Sequence, residues 1–460
     1  MESIDQIQKK HLMQCWSAQK NYQPEEIIRT EGCYLYTKNG KKIFDLRSAH
    51  ESINLGFNHP AVLEAIRNQL DEVIYVTDDF ATEPTALLAQ RLAQLSPGDS
   101  NKKIWFGQSG AGAVEAALKA ARFAQYVKRK GDNDSGHKSN DYYSYPYKII
   151  SRYRSWHGST AGALSVSGDP RRWFAEPLVV PGTVFGPDVY PYRSPFGDDP
   201  DGLKSAEYIN YQIEMEGGSN FVAAVLIEPV VGSNGIIPAP LAYIKRIREI
   251  CDHHDIFLIV DETMTGFGRT GKFLAIEHYD VEPDIIIMGK ALGSYIPLSA
   301  CILSEKVWKH FDDSIFGHGQ SFSGHALASK AALASLEVLL HPDFLPKVQD
   351  LGNYLGNRLN ELATKYEFIG DVRGIGFMWT LELVKNKERK EPVRSTSQKY
   401  STNPIGQIAT YLRDVKNIYI PSDKFGIWIT PPLITTKDEI DYIVDAIDEA
   451  LEKTEESNLW

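Results

Sequence analysis

The chain has few cysteines, and none of them are paired at redox or metal spacing. Cys15, Cys33, Cys251 and Cys301 are the only four in 460 residues. The lack of any CxxC argues against a disulfide scaffold or zinc site and fits a reducing compartment. Long apolar runs are missing too, since none approaches the roughly 20 residues a bilayer span requires. The opening MESIDQIQKKHLMQCW has no unbroken apolar core of the kind a secretion signal carries, so the expectation is a cytoplasmic protein with no membrane partner. Positive charge is short. Against 60 acidic side chains stand 49 basic ones, for a net charge of -11, a field that repels nucleic acid and anionic membrane alike. Neither GxGxxG nor GK[ST] follows a strand, which weakens dinucleotide and nucleoside-triphosphate readings.

What is present is alternation. Short β-branched runs are each followed by a helical pattern or a long crossover: KKIWF then GAVEAALKAARFAQYV, AAVLIEP then LAYIKRIREICDHH, FLIVDE, DIIIMG. That order predicts an α/β domain on a mostly parallel central sheet flanked by helices. From Thr436 the residues TKDE form a capping box, and Ile440, Ile443, Val444, Ile447 and Leu451 share one helical face, so an amphipathic helix should close a smaller α+β domain. The expected division is residues 1–60 contributing to the small domain, 61–330 as the large domain and 331–460 as the rest of the small one. Two polar, Gly- or Pro-punctuated stretches, Lys128–Tyr147 and Lys385–Asn403, read as exposed insertions.

In an open α/β sheet, ligands bind beyond the carboxyl ends of the strands, and three strand ends here carry chemistry. At the first, Ser109-Gly110-Ala111-Gly112 leads from strand into helix and offers backbone N–H groups to a phosphate; a plain packing turn would look the same. At the second, Asp261 and Glu262 end FLIVDE, where a carboxylate is either a cap or the partner of a buried cation. At the third, Lys290 follows DIIIMG, as a gatekeeper reaching solvent or as an amine able to form a Schiff base. Phosphate cradle, carboxylate for a ring nitrogen and Schiff-base lysine are together the needs of pyridoxal 5′-phosphate. Trp156-His157-Gly158 adds an aromatic to stack on the ring.

DETMTGFGRTG with MGKALG, together with IEPVVGSNG, SFSGHALA, DVRGIGF and the TPPL turn, resembles the blocks of the class III pyridoxal-phosphate aminotransferases, of fold type I, in the right order over nearly the whole chain. GDPRRWF and VYPYRSPFG look most like the taurine–pyruvate and ω-amino members. The resemblance implies that Lys290 holds the cofactor and shuttles the proton, and that Asp261 keeps the pyridine nitrogen protonated. Ser109, Gly110 and Ala111 would receive the phosphate, helped by Ser321 from a partner subunit. Trp156 would stack on the ring, with His157, Glu228 and Thr263 around it. It further implies a homodimer and a ping-pong transfer from an amine donor to a keto acid such as pyruvate or 2-oxoglutarate. The same fold also serves aminomutases and epimerases.

Departures from the family pattern bear on substrate. SGAGA stands where SGSEA is common, removing a hydroxyl and a carboxylate from the phosphate turn. Ser233 replaces the glutamate of ornithine and GABA aminotransferases, which speaks against those substrates. Pro421 occupies the usual place of a carboxylate-binding arginine, which leaves Arg154 or Lys424 to take that part. Glu51 falls where ω-transaminases have a pocket tryptophan; a carboxylate there implies a donor with a second cationic group, such as a diamine, unless it is a surface or capping residue.

Overall fold

The computed structural model describes residues 2–134, 146–393, 404–420 and 426–456. Seven strands make the main sheet, in the order Lys103–Gly107, Ser299–Leu303, Ile285–Met288, Phe257–Asp261, Val222–Ile227, Lys148–Arg152 and Thr183–Gly186. Neighbours run parallel except at Ser299–Leu303, which is antiparallel to both of its partners. Two inversions cancel, so Lys103–Gly107 points the same way as Ile285–Met288. The carboxyl ends of Gly107, Met288, Asp261, Ile227 and Arg152 therefore share one edge of the sheet.

IIIM, FLIVD and VAAVLI are buried at every position, as a sheet covered on both faces requires. The helix Gly110–Asp134 lays Ala113, Ala116, Ala117, Ala120, Ala121 and Ala124 against that sheet, all fully buried. Side chains that small let the helix lie close to the sheet, which fixes the position of its first turn relative to the strand ends.

A second set of strands lies outside this sheet. Ile27–Glu31, Tyr34–Thr37 and Lys42–Asp45 form a meander that is completed by Ile418–Tyr419, parallel to Lys42–Asp45. Ile369–Ile375 and Met378–Asn386 pair antiparallel, with Gly426–Ile429 added alongside. The closing helix Lys437–Glu456 starts as its sequence predicts. Glu439 accepts the backbone N–H of Thr436 at 2.8 Å, the N–H of Glu439 reaches Thr436 Oγ1 at 3.3 Å, and Ile440, Ile443, Val444, Ile447 and Leu451 are buried.

The two expected insertions need correction at their edges. Lys128–Asp134 continues the helix that begins at Gly110, and Lys385 and Asn386 end a strand that pairs with Glu391–Pro392. The residues of that helix end are all polar or glycine, so composition alone reads it as loop. Residues 135–145 and 394–403 lie outside the described part. No helix among the described residues is long and apolar enough to cross a membrane.

Candidate active site

Asp261 and Lys290 issue from adjacent parallel strands, with Asp261 in register with Ile287. Asp261 is 4 % exposed. Its two oxygens are held separately: His157 Nδ1 donates to Oδ2 at 2.7 Å, and the backbone N–H of Thr263 donates to Oδ1 at 2.9 Å. Together these two contacts fix the orientation of the carboxylate. Behind it, Glu228 accepts the N–H of Trp156 at 3.1 Å and of Gly232 at 3.0 Å. Burial pushes the Glu228 carboxyl up, Asp261 adds to that, and His157 works against it.

The strand Lys103–Gly107 delivers the glycine turn to the same edge. Ser109 caps the following helix, its Oγ accepting the N–H of Gly112 at 3.1 Å. Helix geometry gives the N–H groups of Gly110 and Ala111 no partner within the helix, and the helix dipole there favours an anion. Close approach explains the glycines. A methyl at Gly110 would come within 2.8 Å of Thr263 Cγ2, and one at Gly289 within 3.2 Å of Gly110 Cα.

Trp156 is enclosed by residues that sequence reasoning missed. The Arg171 guanidinium lies 3.6 Å from its ring centroid and Trp16 meets it edge-on at 5.6 Å, so one face of the indole is taken. Asp169 pairs with Arg171 through both oxygens, at 2.9 and 2.8 Å. A second missed residue is Gln320, whose Oε1 accepts the N–H of Gln108 at 3.2 Å. A methyl at Gly112 would lie 2.4 Å from its Nε2, so Gln320 fills the space that the side chain absent from SGAGA leaves open. Ser321 itself is exposed, and its carbonyl accepts from Tyr75. No sequence signal pointed to Gln320 beyond its place beside Ser321.

Glu51 is neither a surface residue nor a cap. It is 2 % exposed, and its Oε2 stands 3.2 Å from Lys290 Nζ. Arg47 Nε reaches its other oxygen at 3.4 Å. Burial alone would raise the Glu51 carboxyl, but the charges of Lys290 and Arg47 outweigh it and hold it below the ordinary value. The backbone that carries it is a single left-handed turn, with φ of +47° at Ser48, +46° at Ala49, +62° at His50 and +58° at Glu51. Lys290 also has a positive φ, +46°. Strained backbone on both sides of one ion pair is the kind of outlier that accompanies function.

The remaining substrate candidates divide. Arg154 is drawn to Asp188 and lies over the Tyr190 ring at 5.2 Å, so its charge is matched within the chain. Pro421 and Lys424 lie outside the described residues. Ser233 follows Gly232 in the loop after Glu228 and offers no carboxylate.

These groups fit pyridoxal phosphate. Among the described residues Asp261 pairs with no lysine or arginine, the helix start offers N–H groups without a partner inside the helix, and the buried Thr263 Oγ1 and His157 Nε2 have no hydrogen-bond partner. A lysine stands on the adjoining strand end.

Comparison with known proteins agrees. The aminotransferase class-III family model matches residues 17–451. The chain is 30% identical to the taurine–pyruvate aminotransferase of Bilophila wadsworthia, over 98% of this chain and 97% of that one. It is also 34% identical to a leucine/methionine racemase of Thermococcus litoralis, over 95% and 93%. Among solved structures, the taurine:2-oxoglutarate aminotransferase of Bifidobacterium kashiwanohense, in complex with PLP and glutamate, superposes with a TM-score of 0.89 at 31% identity, covering 100% of both chains.

Proposed function

The chain belongs to the class-III aminotransferases, and from that premise we propose that it moves an amino group from an ω-amino donor to a keto acid such as pyruvate or 2-oxoglutarate, by a ping-pong mechanism. The donor class spans taurine-like compounds, β-amino acids and amines or diamines. Its cofactor is pyridoxal 5′-phosphate, which when bound supplies an electron sink for the donor carbon. The observation that carries this reading is the placement of Lys290 and Asp261 on neighbouring strand ends beside a helix N-terminus.

Each residue then has a task. The Gly110 and Ala111 N–H groups hold the phosphate. Asp261 keeps a proton on the ring nitrogen, oriented by His157 and Thr263. Trp156 covers the ring with the face that Arg171 leaves free. Lys290 Nζ would hold the cofactor and, once released by the donor amine, would carry the proton from the donor carbon. Glu51 favours the amine and diamine end of the donor range, because a carboxylate beside Nζ repels an anionic group placed there. The reading extends to a homodimer with shared sites and to a cytoplasmic location, the latter supported by four free cysteines.

Replacing Lys290 with alanine is expected to abolish both turnover and the visible absorbance of the bound cofactor; a fully active Lys290→Ala protein overturns the reading. A racemase among the relatives favours one alternative, an aminomutase or epimerase that releases no keto product. Incubating purified protein with amine and no keto acid separates them. Accumulation of pyridoxamine phosphate with turnover stopping after one equivalent means transfer, and sustained turnover without it means isomerisation.

A further inference from the structure

We propose that Glu51 is the counterion of the Lys290 nitrogen in its Schiff base with pyridoxal phosphate, keeping that nitrogen protonated and thereby setting the pH range in which the holoenzyme accepts a donor amine. The proposal rests on the reading that Lys290 carries that cofactor.

Three observations lead to it. First, among the described residues Lys290 makes one ion pair, and it is with Glu51. Schiff-base formation replaces two N–H bonds of the amine by the C=N bond and expels water, but the nitrogen stays bonded to the same side chain. The positive charge of the protonated imine therefore remains beside the same carboxylate. Second, Glu51 is buried where water screens little, so an opposite charge at this distance acts strongly. Third, the site is built rather than incidental. The left-handed turn is held by Asp45, which accepts the N–H of Arg47 at 3.0 Å and of Ala49 at 2.6 Å, and by Ser48 Oγ, which donates to the Thr430 carbonyl at 2.6 Å.

The charged and titratable groups facing Glu51 are Lys290 from the sheet edge, Arg47 and His50 from its own turn, Asp45 from the strand before it and Arg269 from the loop below. Arg269 is fully buried and bonds the carbonyls of Phe377 and Pro431 and the side chain of Asn54, so it is committed to structure. Among the described residues, Arg47 is the cation that competes with Lys290 for direct contact. A donor amine attacks as the free base and needs a protonated, electrophilic imine, so a carboxylate here widens the pH window in which both conditions hold.

The test is a pH titration of the visible absorbance of dialysed holoenzyme loaded with pyridoxal phosphate. Glu51→Gln is expected to lower the midpoint of the protonated Schiff base by about 1–2 units, and Glu51→Asp, which keeps the charge, to lower it less. Arg47→Ala removes the competing cation and should raise the midpoint. An unchanged midpoint in Glu51→Gln at wild-type cofactor content overturns the proposal. Should Glu51→Gln fail to fold or load, the Arg47→Ala arm decides, and no upward shift there overturns it as well. A wild-type protein with no visible band at any pH overturns the cofactor reading itself and this inference with it.

Discussion

Asp261 and Glu262 are neighbours at one strand end, yet they face opposite ways and do different work. Alternation along a strand sends the first side chain to the sheet edge that also carries Lys290 and the second into the loop behind. There Glu262 accepts the N–H of Ile276 at 2.7 Å and the hydroxyl of Thr265. Burial nevertheless pushes its carboxyl up to about 7 from an ordinary 4.5, and those hydrogen bonds only partly offset it. A folded-state value above the unfolded one means that the native protein binds this proton more tightly. The stability it contributes is thus fully present below about pH 4.5 and is lost as pH rises through about 7. Glu262→Gln removes that dependence. Between pH 5 and pH 8 the wild type should lose roughly 2–3 kcal/mol more than Glu262→Gln does, as read by denaturant midpoints at both pH values. Identical pH slopes in the two proteins would count against a buried proton at this position.

At the scale of elements, the turn Ser48–Glu51 is the least expected piece of backbone. Each non-glycine residue in a left-handed helix costs roughly 1–2 kcal/mol, and here four follow one another. The turn has its own hydrogen bonds, from the N–H of Glu51 to the Arg47 carbonyl at 2.8 Å and from Ser52 to Ser48 at 3.0 Å, but those would form as well in a right-handed turn. What selects the left hand is tertiary: Asp45 from one side, Thr430 and Arg269 from the other. Ala49→Gly should therefore stabilise the protein by about 0.5–1 kcal/mol, since glycine is free at this φ even after its unfolded-state entropy is counted. The same change at Ala117, buried in a regular helix, should destabilise by about 1 kcal/mol or more. Thermal or denaturant unfolding of both variants measures this, and a destabilised Ala49→Gly would show that the turn is not strained. Nothing in SAHE announces such a turn, because it contains no glycine or asparagine and long-range contacts impose it. The buried strands IIIM and FLIVD and the TKDE helix start were legible, because burial on both faces and capping leave local patterns. Lys290 and Asp261 were legible as strand ends. Gln320, Arg171 and Arg47 were not, because their roles depend on which distant loop they meet.

At the scale of the whole molecule, a single chain leaves apolar side chains in water around the loop that carries Ser321. Phe322, next in the chain after Ser321, and Ile315, a few residues before it, are exposed, and exposed apolar groups of that size commonly mark an interface. Ser321 is exposed among them, while its neighbour Gln320 turns inward to this chain's own glycine turn. A loop with one residue facing its own site and the next facing outward suits a two-fold pair in which each subunit lends a side chain to the other. If Ser321 serves the partner's phosphate, then a Lys290→Ala chain and a Ser321→Glu chain, each deficient alone, complement one another in a mixed dimer. One of its two sites collects both lesions, and the other has an intact lysine from one chain and an intact serine from the other. Random mixing makes half the dimers mixed, so about a quarter of wild-type turnover and retained cofactor should return. Both parents and the mixture should elute at twice the 51.6 kDa chain mass. If Ser321 instead serves its own chain, every site in every dimer carries one lesion, and the mixture stays as low as the average of its parents.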